Sequence, residues 1–175
     1  ATASWCDAES DEQSESVTEG EAMDSAGETT VMVTAFAGAH LVAARCALVD
    51  LAEHRIPNRS VVVIGAIALG AAVLTRHVPA VAIGASSTAG LLWSVRYGHG
   101  IGLGDVKFAA ALGAIGGLVG PLVGLVGLGF AAVSAAAVGA AVRRRRMALA
   151  PWLWAGSVAA TALHLVAAGR LPWPT

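Results

Sequence analysis

Past residue 30 the chain carries only three acidic side chains: Asp50, Glu53 and Asp105. Asp50 leads into Leu51, Ala52, Glu53, His54, Arg55, Ile56, Pro57 and Asn58, while Asp105 closes Gly102, Leu103 and Gly104 and is followed by Val106 and Lys107. Both aspartates stand at the edge of a hydrophobic stretch, and a carboxylate at a bilayer is costly enough to count as a functional candidate. Two carboxyls brought together from distant segments have a specific chemistry. They cannot both ionise easily, so one keeps its proton while the other is a carboxylate. The carboxylate can draw a proton from water while its partner donates to a peptide carbonyl.

Taken singly, each aspartate also has a plainer role. Asp50 would mark a membrane boundary by pairing with Arg45 or Arg55, and Asp105 would cap a helix. Pro57 disfavours helix at Ile56, so a helix bearing Asp50 near its end should stop there, with Asn58 or Ser60 capping the next. Glycine alternates with other residues from Gly98 to Gly104, a run that can bend sharply and come close to an extended peptide. Asp105 then starts a helix, whose dipole favours the ionised carboxylate.

Around these residues the chain is 56% hydrophobic and 13% charged, with mean hydropathy +0.69. A soluble domain of this length carries about twice the charge. The overall charge of −1 conceals two opposite parts. Nine acids, Asp7 to Glu28, lie in a first segment without Lys or Arg, and all eleven bases lie beyond it. Residues 1–30 are too poor in large apolar groups to bury a core and are expected to form a disordered acidic tail. No basic region precedes an apolar run there, so the tail does not read as a signal peptide. Residues 31–170 are expected to form a six-helix membrane domain.

Six apolar segments can be marked: Val31 to Leu51, Val61 to Thr75, Val78 to Val95, Val106 to Val119, Pro121 to Val142 and Leu149 to Ala168. Run together, the fourth and fifth would make a helix of about 55 Å, too long for one crossing. Gly116, Gly117, Gly120 and Pro121 supply the break. The fold class is therefore all-α, a polytopic membrane protein of about six transmembrane helices. Gly113 with Gly117, and Gly120 with Gly124, have the spacing that lets membrane helices approach closely.

Basic residues in the loops give an orientation. Loops after the odd segments hold Arg55, Arg59, Arg96, Lys107 and Arg143 to Arg146, whereas the other side holds Arg76 and Arg170. Arg45 can snorkel from the first segment. The odd loops are thus expected in the cytoplasm and both termini outside, with Asp50 and Asp105 at the cytoplasmic edge. Trp93, Tyr97, Trp152, Trp154 and Trp173 fall near segment ends, where aromatic side chains favour the interface.

Other chemistries find little support. The glycine run lacks the spacing of a dinucleotide loop and the lysine-hydroxyl pair of a phosphate loop. His40, His54, His77, His99 and His164 are scattered, and Cys6 and Cys46 match no metal or redox spacing. No cofactor, metal or nucleic-acid partner is expected. Glu53 and His54 lie close enough in sequence to Asp50 to tune it. Arg143 to Arg146 serve as a topology signal or as a contact for anionic lipid headgroups.

Asp50 followed by Ile56, Pro57 and Asn58, together with Gly102, Leu103, Gly104, Asp105, Val106 and Lys107, resembles the type IV prepilin peptidase family. The aspartic-protease motif of that family is Gly-x-Gly-Asp. Pro151, Trp152, Leu153, Trp154, Ala155 and Gly156 also look like the family's proline-containing entry to its last helix. The resemblance covers roughly residues 31 to 168. It implies a membrane aspartic endopeptidase, with Asp50 and Asp105 catalytic and Gly102, Gly104, Lys107, Pro57 and Asn58 meeting the substrate. The substrates it implies are prepilin-like precursors, cut after a short basic leader at the cytoplasmic face. Larger members carry paired Cys-x-x-Cys motifs and methylate the new N-terminus. No such motif occurs here, so the expectation is cleavage without methylation, as in the short form that resembles peptidases of Flp/Tad-type pilus systems. A non-catalytic membrane carrier or a pilus or secretion assembly subunit is the alternative, although no acid lies mid-segment to pass protons. A catalytically dead family member is a further one.

Overall fold

The computed structural model describes residues 5–99, 101–142 and 148–169. Six helices follow one another: α1 Trp5–Glu53, α2 Asn58–Leu74, α3 Val78–His99, α4 Leu103–Val119, α5 Val123–Val142 and α6 Ala150–Ala167. Each of the six apolar segments has become one helix. Arg143 to Arg146, Arg170 and Trp173 lie outside the described residues.

The helix breaks fall where backbone chemistry requires them. His54 closes α1 in a left-handed conformation, φ 50°, with its N–H donating to the Asp50 carbonyl at 2.9 Å. Pro57 itself occupies the N-cap of α2 and makes no side-chain cap bond. The expected cap by Asn58 or Ser60 is therefore absent, because Asn58 already lies inside the first turn and its side chain turns elsewhere. Gly120 and Pro121 separate α4 from α5 as expected, with Gly120 extended.

One boundary differs from expectation. Helix α3 continues through Gly98 and His99, so the glycine-rich stretch is helical in its first part. A helical glycine costs only about 1 kcal/mol, which an established helix can absorb. Helix α1 begins at Trp5.

Four stretches are long and apolar enough to cross a membrane: Ala26–Glu53, Val78–Arg96, Val123–Ala141 and Ala150–Ala167. The 17-residue helices α2 and α4 measure about 25 Å, against a hydrocarbon core of about 30 Å. Large apolar side chains point outward, among them Leu41, Leu48, Val62, Leu69, Leu74, Leu122 and Val133. The interior holds mostly alanine, with Phe108, Ile64 and Ile115 its largest fully buried apolar side chains. An apolar exterior around a small-residue interior suits lipid rather than water. The chain is a multi-pass, all-helical membrane protein.

Helix α4 is the axis of the bundle and packs against all five other helices. It buries Val106, Phe108, Ala109 and every residue from Ala111 to Leu118. Such encasement needs glycine at the crossings. A Cβ on Gly113 would strike the Thr88 hydroxyl and the Gly84 carbonyl, and one on Gly117 would lie 2.6 Å from the Ala80 oxygen. Gly113 and Gly117 thus form one seam against α3. Gly120 and Gly124 do not share a seam: the first faces His164, while the second faces the Gly113 backbone. The Thr88 hydroxyl lies 2.8 Å from the Gly84 carbonyl and 3.1 Å from the Ala109 carbonyl, joining α3 to α4. Gly113→Val should cost at least about 1–3 kcal/mol through overpacking, seen as a lower detergent unfolding temperature. Gly129→Ala, inside α5 where a Cβ meets nothing within 4 Å, should not lower that temperature, and the better helix propensity of alanine should raise it slightly.

Candidate active site

The end of α1 and the starts of α2, α4 and α6 meet at one end of the bundle. Asp50 lies on the last turn of α1 and is 5% exposed. A buried carboxylate must find donors inside the protein. Neither arginine that could have neutralised it does so: among the described residues no ion pair joins Asp50 to Arg45 or Arg55, and both arginines are exposed. Its partner is instead a backbone amide. Ala150 N–H, the first of α6, donates to Asp50 Oδ2 at 3.2 Å. The first N–H groups of a helix have no partner within it. Pro151 has no N–H, and the amides of Trp152 and Leu153 both turn to the Leu149 carbonyl at 3.1 Å. Ala150 is thus the free donor at this helix start, and Asp50 takes it.

Asp105 lies in the first turn of α4, ahead of the buried run from Val106 and outside the four long apolar spans. Its Oδ2 accepts the Gly102 N–H at 3.1 Å, the backward reach of an acid at the third helical position. Burial pushes its carboxyl above the ordinary carboxylate range; the Gly102 bond opposes this, and the negative charge of Asp50 adds to it. The two aspartates are therefore close enough to feel each other's charge. The helix dipole had suggested Asp105 as the ionised member of the pair. Burial acts against that dipole and favours the protonated form of Asp105.

The remaining candidates gather around this pair. Lys107 Nζ reaches Asn58 Oδ1 at 3.5 Å, linking α4 to the first turn of α2. Pro57 is half-buried, and neighbouring Ile56 faces Gly104, whose Cβ position would lie 3.5 Å from Ile56 Cβ. That is ordinary contact, so packing alone does not require glycine at Gly104. A Cβ on Gly102 would sit 3.3 Å from Asp105 Oδ2, a tighter fit. Both motifs, far apart in sequence, thus share one site. Glu53 and His54 are exposed, and among the described residues no group of three metal-ligating side chains occurs.

The start of α6 is the part that reasoning from side chains missed, since the Ala150 amide carries no residue signature. Pro151 in the first turn of a helix was the available clue, because proline is favoured there and so marks where a helix's unpartnered N–H groups begin.

Residues 35–163 match the model of the type IV leader peptidase family. The matched stretch takes in both aspartates, Pro57 and the start of α6, and spans well over half of the chain. The chain belongs to the type IV leader peptidase family. No match was found among curated proteins or among solved structures. Membership makes it a membrane protein of a peptidase family, whose substrates are peptides.

The upward shift of the Asp105 pKa that burial causes has a consequence for stability. Such a carboxyl favours folding below its unfolded value, and that contribution is lost as pH rises through its folded value. Asp105→Asn removes the cost of ionising there, while its amide oxygen can still accept the Gly102 N–H. Its unfolding temperature in detergent should equal or exceed the parent's at neutral pH, by about 2–4 °C for each kcal/mol recovered. The difference should vanish in acid. A lower temperature at neutral pH would show that the charge stabilises the site.

Proposed function

We propose that this chain is a membrane-embedded aspartic endopeptidase that removes the basic leader from type IV prepilin-like precursors. Asp50 and Asp105 are its catalytic carboxyls, and the cut is made at the cytoplasmic face. The observation that carries this reading is the coupled pair itself: two carboxyls from α1 and α4, one buried, the other desolvated and raised by the first. An ionised and a protonated carboxyl side by side can activate water and polarise a carbonyl together.

The neighbouring residues support a peptide substrate. Gly104 has room for a methyl group that the sequence does not use, which suits an extended backbone passing close to α4. Lys107 and Asn58 present an exposed amine and amide at the same end of the bundle, able to bind carbonyls and amides of such a chain. Pro57 holds the turn that brings Asn58 there. The excess of basic residues in the loops after the odd segments supports a cytoplasmic position for this end, with both termini outside. Precursors of the Flp/Tad type fit a chain whose only cysteines, Cys6 and Cys46, form no paired motif, and their new N-termini would remain unmethylated.

Co-expression with a candidate precursor, read by mass spectrometry of its N-terminus, tests the proposal. The parent should release the leader without adding a methyl group. Asp50→Asn and Asp105→Asn should each lower cleavage by at least about 10³-fold while remaining inserted. Unimpaired cleavage in both variants would refute the pair's role. Lys107→Ala should raise KM more than it lowers kcat, as expected for a group that binds ground and transition states alike.

A further inference from the structure

Asp50 sits in an unfavourable place on its own helix. It lies three residues before the end of α1 at Glu53, where the helix dipole is negative and opposes a carboxylate. It is also almost completely buried. Both call for a partner at the carboxyl oxygens. Against them stands one buried contact, the Ala150 N–H at 3.2 Å, backed by the positive end of α6. A backbone amide can donate to a carboxylate or to the carbonyl oxygen of a neutral carboxyl, but it strengthens with the acceptor's charge.

We propose that the first turn of α6, acting through the Ala150 amide, holds Asp50 in its ionised form and makes it the base of the pair, with Asp105 the acid. This rests on the reading of the two aspartates as the hydrolytic pair. Asp50 takes a proton from water as the water oxygen bonds to the peptide carbonyl carbon. Asp105 gives its proton to the carbonyl oxygen, leaving a gem-diol. On collapse the C–N bond breaks, the departing nitrogen takes the proton from Asp50, and a diol hydroxyl returns one to Asp105. Both carboxyls end as they began. Ala150 is a positioning residue and touches no substrate.

Among the described residues the Ala150 amide is the hydrogen-bond partner of the Asp50 side chain, and the charged groups nearby stand as follows. Helix α4 brings Asp105 and the exposed Lys107, the latter engaged with Asn58. Helix α2 brings Arg59, exposed, and α1 itself carries exposed Arg45 and Glu53, with exposed His54 and Arg55 just beyond. Helix α6 has no ionisable side chain before His164. Of these, Asp105 is the one charge opposing ionisation from within the site, and it is relieved when Asp105 keeps its proton.

The test replaces Ala150 by its α-hydroxy acid, so that an ester stands where the amide was: the N–H is lost, and the Leu149 carbonyl that receives Trp152 and Leu153 becomes a weaker acceptor, a change that by itself leaves the pH dependence in place. The acid limb of the pH–rate profile should move up by about one to two pH units, the value of a hydrogen bond to a charge, with rates converging at higher pH. An unmoved limb, whether the rate falls equally at every pH or not at all, would overturn the proposal. Infrared titration of the carboxyl bands provides a second measurement that needs no substrate and no change in α6. With bands assigned by Asp50→Asn and Asp105→Asn, Asp50 should ionise at lower pH than Asp105 in the parent chain. The reverse order would overturn the assignment even if the ester variant failed to fold. A parent that cleaves no precursor but shows the expected order would refute the proposed function while leaving the Asp50–Ala150 coupling intact.

Discussion

A carboxylate taken out of water at a membrane edge must be satisfied by the protein alone, and this requirement organises one end of the bundle. Among the described residues no cation pairs with Asp50. Its answer is the start of another helix, and the topology makes that available. With successive helices running in opposite directions, α2, α4 and α6 all begin at the end where α1 finishes. Three sets of unpaired amides are therefore delivered to one place. Asp105 takes one from the start of its own helix, Asp50 takes another from α6, and the start of α2 is held by Asn58 and Lys107 instead. An acid at the C-terminal end of a helix is out of place by its own dipole; among neighbouring N-termini it is in place.

Bringing these starts together depends on how closely the helices pack, and here small residues decide. Helix α4 is surrounded on all sides, and its glycines let the backbones of α3 and α5 come into direct contact with it. The same device joins α5 to α6, where a Cβ on Gly127 would lie 3.0 Å from Ser157 Cα. In lipid there is no hydrophobic drive between helices, so this contact supplies much of the cohesion. The seams run along the helix flanks, and the site lies at their ends. Displacing α6 from α5 would move Ala150 away from Asp50 without touching either residue.

Much of this was legible in the residues. The six apolar runs, the break at Gly120 and Pro121, and the isolation of Asp50 and Asp105 all follow from hydropathy and backbone chemistry, which are local. What escaped was either non-local or carried by backbone atoms. The dipole of α4 at Asp105 can be read from the order of residues, whereas the burial that acts against it requires the other helices. The Ala150 amide looks like any other until Pro151 and the position of α1 are taken together. Gly98 and His99 extend α3 because a helix end tolerates glycine more readily than its reputation as a breaker suggests.

Helix α1 also acts as a ruler. Glu28 approaches His77 at 3.5 Å, beside the turn between α2 and α3, and the same ring nitrogen lies 2.6 Å from the Thr75 carbonyl. Asp50 lies 22 residues further along the unbroken helix, about 33 Å at 1.5 Å per residue. That matches a hydrocarbon core of about 30 Å, so the two polar clusters lie about one membrane thickness apart along a single helix, and the groups that bear directly on Asp50 are those at its own end of α1.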